Sequence, residues 1–336
     1  MLIVKAEIMS IIFQILSLEI VKLVYEIKWY IESCQKVKED IDMKKDIFTG
    51  AAVAIITPFT EDGINFEELK RLIDFNIDNG TDAIVIAGTT GESSTMSDEE
   101  HKETIRFTVE YVNKRVPVIA GTGSNDTLYA VDLSQYAEKV GADGLLLVTP
   151  YYNKTTQSGL IKHYNYIADR VNIPIILYNV PSRTGVNILP KTASELSKHK
   201  NIVAIKEASG DLSQIAETIS LCGDNLTVYS GNDDQIVPIL SLGGKGVISV
   251  LSNVVPRDAH NICSLYFEGK VKESRELQMK YLSLINALFI EVNPIPVKTA
   301  LRLMGFNAGP LRMPLFDMDE ENLEVLKKEL KAHNLI

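Results

Sequence analysis

Cysteine is scarce in this chain. Cys34, Cys222 and Cys263 are odd in number, widely spaced and form no C-x-x-C pair. That pattern excludes a disulfide framework and predicts thiols used as packing groups in a reducing, cytoplasmic compartment. Histidine is equally sparse: the five present make no H-x-H or H-E-x-x-H pair, so no metal and no other cofactor is expected. Basic residues are outnumbered, 34 Lys and Arg against 44 Asp and Glu, and the resulting formal charge of −10 leaves no basic patch for nucleic acid. Pro/Gly/Ser linkers, internal repeats and low-complexity tracts are absent. A long uninterrupted apolar run is missing too. The most apolar stretch, residues 9–29, is broken by Glu19, Lys22, Glu26 and Lys28 and precedes no small-residue cleavage site. No membrane span is expected. An amphipathic helix is one reading of this stretch. The other is a translation start at Met43, which makes the preceding residues an artefact. Either way, residues 1–46 are an N-terminal extension.

What is present is a rhythm. With 46% apolar and 23% charged residues, the chain can bury a sizeable core. Apolar runs occur at 51–56, 83–87, 117–121, 144–149, 174–179, 202–206, 226–230 and 246–250. Between them lie amphipathic stretches such as 66–79, 98–113, 128–140 and 159–169, with apolar residues at helical spacing. Continuous apolar strands alternating with helices predict a parallel sheet covered on both faces, and the count of runs is that of a (β/α)8 TIM barrel. A doubly wound open sheet would carry a G-x-G-x-x-G turn after its first strand. Here Gly121-Thr-Gly123 follows the third run and lacks the third glycine. The barrel is assigned to residues 47–268, and residues 269–336 to a C-terminal helical appendage with helices over 271–289 and 320–333.

Active sites of such barrels gather at the C-terminal ends of the strands. Lys206 ends the run Ile202-Val-Ala-Ile-Lys206. A buried ammonium is costly, and a desolvated lysine offers a neutral amine to a carbonyl, as a Schiff-base nucleophile must. Equivalent strand ends deliver Thr89 and Thr90 in Gly88-Thr-Thr-Gly-Glu92, Tyr151 and Tyr152, Tyr178, Arg183, Gly231 and Ile248. Each has a plainer alternative. The threonines can serve a turn, the paired tyrosines an interface, and the arginine a surface charge. Arginine in a short Pro-Ser-Arg-Thr-Gly loop also suits bidentate capture of a carboxylate. Gly231 and Ile248 can act only through shape and backbone carbonyls.

Three segments carry a resemblance: Gly88-Thr-Thr-Gly-Glu92, Tyr178-Asn-Val-Pro-Ser-Arg-Thr184 and Ile205-Lys-Glu-Ala-Ser209. Over residues 47–336 the chain resembles the class I pyruvate-dependent aldolases of the dihydrodipicolinate synthase and N-acetylneuraminate lyase group. The double threonine and Arg183 resemble the branch that condenses pyruvate with L-aspartate 4-semialdehyde on the way to diaminopimelate and lysine. The resemblance implies Lys206 as the imine-forming residue, and Tyr178, Thr89 and Tyr152 as a proton relay. It also implies Thr90 at the pyruvate carboxylate and Arg183 at the semialdehyde carboxylate. Tyr152 is then expected to cross between subunits of a dimer or a dimer of dimers. A lysine-inhibition site is implied at Ser93, Ser94, Asp98, His101, Asn125, Tyr129 and Tyr151. Sensitive relatives have histidine where Asp98 stands and an acid where Tyr129 stands, so feedback by lysine is expected to be weak or absent. The alternatives are a 2-keto-3-deoxy sugar-acid or N-acetylneuraminate lyase, a non-catalytic barrel that senses a 2-oxo acid, and a phosphate-binding barrel enzyme.

Overall fold

Strands that are buried on both faces need apolar side chains at every position, and eight such strands close into one parallel barrel in the computed structural model. The structure describes residues 24, 27, 28, 44 and 46–336. The expectations for the 9–29 helix and for a start at Met43 fall largely on residues outside the described ones. The strands are β1 (Gly50–Ala54), β2 (Ala83–Ile86), β3 (Val118–Gly121), β4 (Gly144–Val148), β5 (Ile175–Asn179), β6 (Ile202–Glu207), β7 (Thr227–Ser230) and β8 (Gly246–Ser249). Each pairs with its sequence neighbours, and β1 closes the ring by pairing with both β8 and β2. Residues 45–336 form one compact unit.

Side chains alternate between two cores, as the pleat requires. Val53, Ile84, Ile86, Leu145, Leu147, Leu177 and Ile205 face the surrounding helices. Ala52, Ala54, Val85, Ile119, Leu146, Ile176, Ala204, Tyr229 and Ile248 share the other cluster, inside the barrel. Alanine at five inward positions (Ala52, Ala54, Ala83, Ala204, Ala208) leaves room that larger residues would fill. At the N-terminal end Phe48 stacks flat on Tyr229, with ring centroids 4.2 Å apart and planes 7° from parallel. The Tyr229 hydroxyl donates to the Phe48 carbonyl at 2.6 Å. A stacked pair adds about 0.5–1.5 kcal/mol beyond its buried area, and here it plugs the floor of the barrel.

The outer layer comprises α1 (Phe66–Asp78), α2 (Asp98–Val112), α3 (Thr127–Val140), α4 (Gln157–Ala168), α5 (Pro190–Leu196), α6 (Leu212–Cys222), α7 (Ile236–Ser241) and α8 (Pro256–Phe267). The N-terminus of α2 is fixed by a capping box between Ser97 and Glu100. Beyond the barrel come α9 (Val271–Leu288), α10 (Ile295–Leu303) and α11 (Glu320–Ala332). Pro294 and Pro296 lack a backbone N–H and fit only at a helix start, so α9 cannot run on into α10. That break, residues 289–293, lies over the mouth of the barrel.

Candidate active site

Strand register brings the two leading residues together. Tyr178 on β5 is paired with Lys206 on β6, and both point inward with Ile176 and Ala204. The Lys206 amine lies 4.4 Å from the centre of the Tyr178 ring. The next pair in register, Asn179 and Glu207, faces the opposite way. There the Asn179 amide donates to both Glu207 oxygens at 3.0 Å, and Glu207 accepts from the Ser209 backbone at 2.8 Å. This buried polar lock on the outer face fixes the angle at which the lysine and tyrosine project inward.

Lys206 is only 5% exposed. Burial pushes its amine down to about 8; the Asp233 carboxylate opposes that shift and the Arg183 guanidinium reinforces it. A fall from 10.5 to about 8 raises the uncharged share near neutral pH by roughly two orders of magnitude. Burial raises the Tyr178 phenol, against the lowering effects of the Arg183 charge and a hydrogen bond with Thr89. The phenol is therefore held protonated, next to a hydroxyl partner able to pass a proton on.

Gly231 acts through what it lacks. A Cβ there would lie 2.7 Å from the Ala208 side chain and 3.1 Å from Lys206 Cε. Ile248 is wholly buried among the inward residues, one pleat below Val250, which does line the cavity. The cavity itself measures about 710 Å³, and its walls include Lys206, Tyr178, Thr89, Thr90, Arg183 and the 289–293 segment.

Thr90 is buried and its hydroxyl accepts from the Asn293 amide at 2.9 Å. Its loop is shaped by Glu92, which takes a left-handed backbone conformation at φ 55°. Glu92 accepts from the Lys298 ammonium at 2.7 Å and from the Arg312 backbone at 3.0 Å. Arg183 sits on the helical turn Pro181–Thr184, pinned from within by a 2.9 Å hydrogen bond from Thr149 to Thr184. Its guanidinium is exposed and donates to the Asn293 backbone carbonyl at 3.0 Å. Tyr152 stands apart, 91% exposed with φ 65° in the loop after β4. Within one chain it does not line the cavity.

Sequence reasoning missed Asn293 and Lys298, and gave no role to Asp233 just beyond the end of β7. Asp233 is buried and accepts from the backbones of Val250 and Leu251 at 3.0 and 2.9 Å. The Asn293-Pro-Ile-Pro296 break was the available signal for the segment that covers the mouth.

A parallel eight-stranded barrel that holds a desolvated lysine against a protonated tyrosine at its mouth defines an enzyme of the Schiff-base aldolase class. The chain belongs to the Dihydrodipicolinate synthetase family, whose profile matches residues 47–333. It is 64% identical over 290 residues to 4-hydroxy-tetrahydrodipicolinate synthase of Clostridium perfringens, covering 86% of this chain and 100% of that protein. The Acetivibrio thermocellus protein of the same name is 60% identical over 294 residues, covering 88% and 100%. Among solved structures, the dihydrodipicolinate synthase of Thermotoga maritima superposes with a TM-score of 0.85 at 46% identity, over 87% of this chain and 100% of that one. Among the described residues, no helix is long and apolar enough to cross a membrane.

Proposed function

We propose that this chain condenses pyruvate with L-aspartate 4-semialdehyde to 4-hydroxy-tetrahydrodipicolinate, a step towards diaminopimelate and lysine. The observation that carries the chemistry is the 5%-exposed Lys206, its amine brought down to about 8 beside Tyr178. Neutral Lys206 attacks the ketone carbon of pyruvate and water departs, leaving an iminium. That cation draws electrons from the adjacent methyl, which loses a proton to give an enamine. The enamine carbon then attacks the aldehyde. The semialdehyde nitrogen finally closes the ring on the imine carbon and releases the lysine. Tyr178 carries protons in these steps and Thr89 is its first partner. Thr90 holds the pyruvate carboxylate, and Arg183 the carboxylate of the semialdehyde. Gly231 and Ile248 shape the floor. Residues 47–268 supply the barrel, and residues 269–336 its lid.

Tyr152 completes the relay of a neighbouring subunit, which its near-complete exposure supports, so the competent unit is a dimer or a dimer of dimers. A coupled assay with pyruvate and L-aspartate 4-semialdehyde tests the reaction. Borohydride reduction with pyruvate alone tests the intermediate: a pyruvate-derived mass is expected on the Lys206 peptide. An unmodified peptide would overturn the Schiff-base assignment.

A further inference from the structure

Imine formation turns a neutral amine into a cation that stays where it is made. The amine, the ketone and one proton give an iminium and one water. Lys206 is 5% exposed, so that cation is largely removed from water. A buried charge of this kind needs a fixed partner of opposite sign. Tyr178, whose ring centre lies 4.4 Å from the amine, is held neutral, and Arg183 carries the same sign as the iminium. Glu207, next along β6, faces the other way and is engaged by Asn179.

Asp233 meets the need. It opens the turn after β7, the strand whose Tyr229 pairs with Lys206. The backbone passes close to the lysine there: Gly231 donates to the Glu207 carbonyl at 2.7 Å, and a Cβ on Gly231 would lie 3.1 Å from Lys206 Cε. Asp233 is 2% exposed, while Asn232 beside it and Val250 bonded to it line the cavity. One of its oxygens accepts from the Val250 and Leu251 backbones at 3.0 and 2.9 Å, and the Ser249 hydroxyl also bonds the group. The other, Oδ1, has no hydrogen-bond partner among the described residues. These donors favour the ionised form against the burial that opposes it. The charge that acts on Asp233 is that of Lys206, and the Cys263 thiol on α8, which also feels the carboxylate, is held protonated by burial. An anion here works against the neutral amine that attacks pyruvate. Its use lies in the step that follows.

We propose that Asp233 is a positioning residue that holds a fixed negative charge beside Lys206 as the counter-charge of the iminium, from behind the residues that line the cavity. This rests on the reading of Lys206 as the imine-forming residue. Ammonium and iminium carry the same charge on the same nitrogen, so the carboxylate stabilises both alike. It therefore favours the imine only where the free lysine is uncharged, above about pH 8, and leaves the balance unaltered below.

The test is borohydride trapping of the pyruvate imine in the unsubstituted enzyme and in Asp233→Asn, which keeps an oxygen for the Val250 and Leu251 backbones. Near pH 9 the pyruvate concentration for half-maximal trapping is expected to rise about tenfold in the variant, and near pH 6 to stay the same. The rising limb of kcat/KM for pyruvate is expected to move about one pH unit lower, since a cause that raises the amine has gone. Equal weakening of trapping at both pH values would overturn the proposal and leave Asp233 as a support of its turn. A limb left in place would overturn it as well. Where Asp233→Asn does not fold, Ser249→Ala decides, because it removes a donor that favours the charge and leaves the carboxylate. A limb that moves lower by a smaller amount then supports the proposal, and an unmoved limb overturns it. Failure of the unsubstituted enzyme to trap pyruvate at any pH would instead refute the Schiff-base reading of Lys206 beneath it.

Discussion

Glu92 and Lys298, 206 residues apart in sequence, meet in an ion pair at 2.7 Å with side chains only 1% and 0% exposed. The pair couples the threonine-bearing loop after β2 to α10, outside the barrel. Lys298 also donates to the Pro310 carbonyl at 2.8 Å, and its ammonium lies 4.6 Å from the centre of the Phe59 ring. Arg312, whose backbone completes the cage around Glu92, also grips Glu100 through two contacts of 2.6 Å.

Removal of one partner of such a pair leaves the other charge buried and uncompensated. Lys298→Met is therefore expected to cost about 3–5 kcal/mol of stability. Lys298→Met combined with Glu92→Gln should recover part of that loss. Chemical denaturation of the single and double variants measures both. Equal stability of the two would show that the pair is not what holds the loop.

Imine formation requires the uncharged amine, so its rate should depend on pH with a definite sign. Below about 8 the protonated share of Lys206 grows, and kcat/KM for pyruvate is expected to fall about tenfold per pH unit. Above that value the rate should level off. Arg183 helps to lower the amine, so Arg183→Ala should move the rising limb to higher pH. A limb left in place would rule out that electrostatic contribution.

Gly231→Ala places a methyl 2.7 Å from Ala208 Cβ and 3.1 Å from Lys206 Cε. Ala208 must move, and the lysine must give by a few tenths of an ångström. A loss in pyruvate kcat/KM of about tenfold is expected, since catalysis is sensitive to displacements well below those that disturb the fold. Steady-state kinetics at saturating semialdehyde provides the measurement. Wild-type behaviour would mean that the lysine tolerates the displacement.

A second cavity, of about 380 Å³, is lined by Ser93, Ser94, His101, Tyr129 and Tyr151 and borders Thr89 and Arg183. Its described lining contains no carboxylate to receive the ammonium of free lysine. The nearby Asp98 is tied to Lys102 at 2.9 Å and to the Tyr129 hydroxyl, and His101 bonds the Gly121 carbonyl at 2.8 Å. Calorimetric titration with L-lysine is expected to show no binding in the micromolar range. Micromolar affinity would mean that these pairs open for the ligand.

The barrel was legible because strands buried on both faces carry their signal locally, as in Leu145-Leu-Leu147 or Ile202–Ile205. Lys206 stood out as a charge inside such a run, and Tyr178 through its place at the end of another. Asn293 and Lys298 carried no comparable signal. Their partners lie 203 and 206 residues away, and nothing in a local pattern records a contact of that range. Helix α7 escaped for a different reason: at six residues it is too short to display an amphipathic period. The fall in the Lys206 pKa could be anticipated from its neighbours, whereas the opposing Asp233 charge could not.

Phe48 and Tyr229 fill the lower end of the barrel with a stacked, hydrogen-bonded pair, while the described cavity lies at the other end of the strands. Lys206 is buried and Arg183 exposed beside it, so on the proposed assignment the pyruvate adduct lies below the place of the aldehyde, and the first substrate is bound before the second covers it.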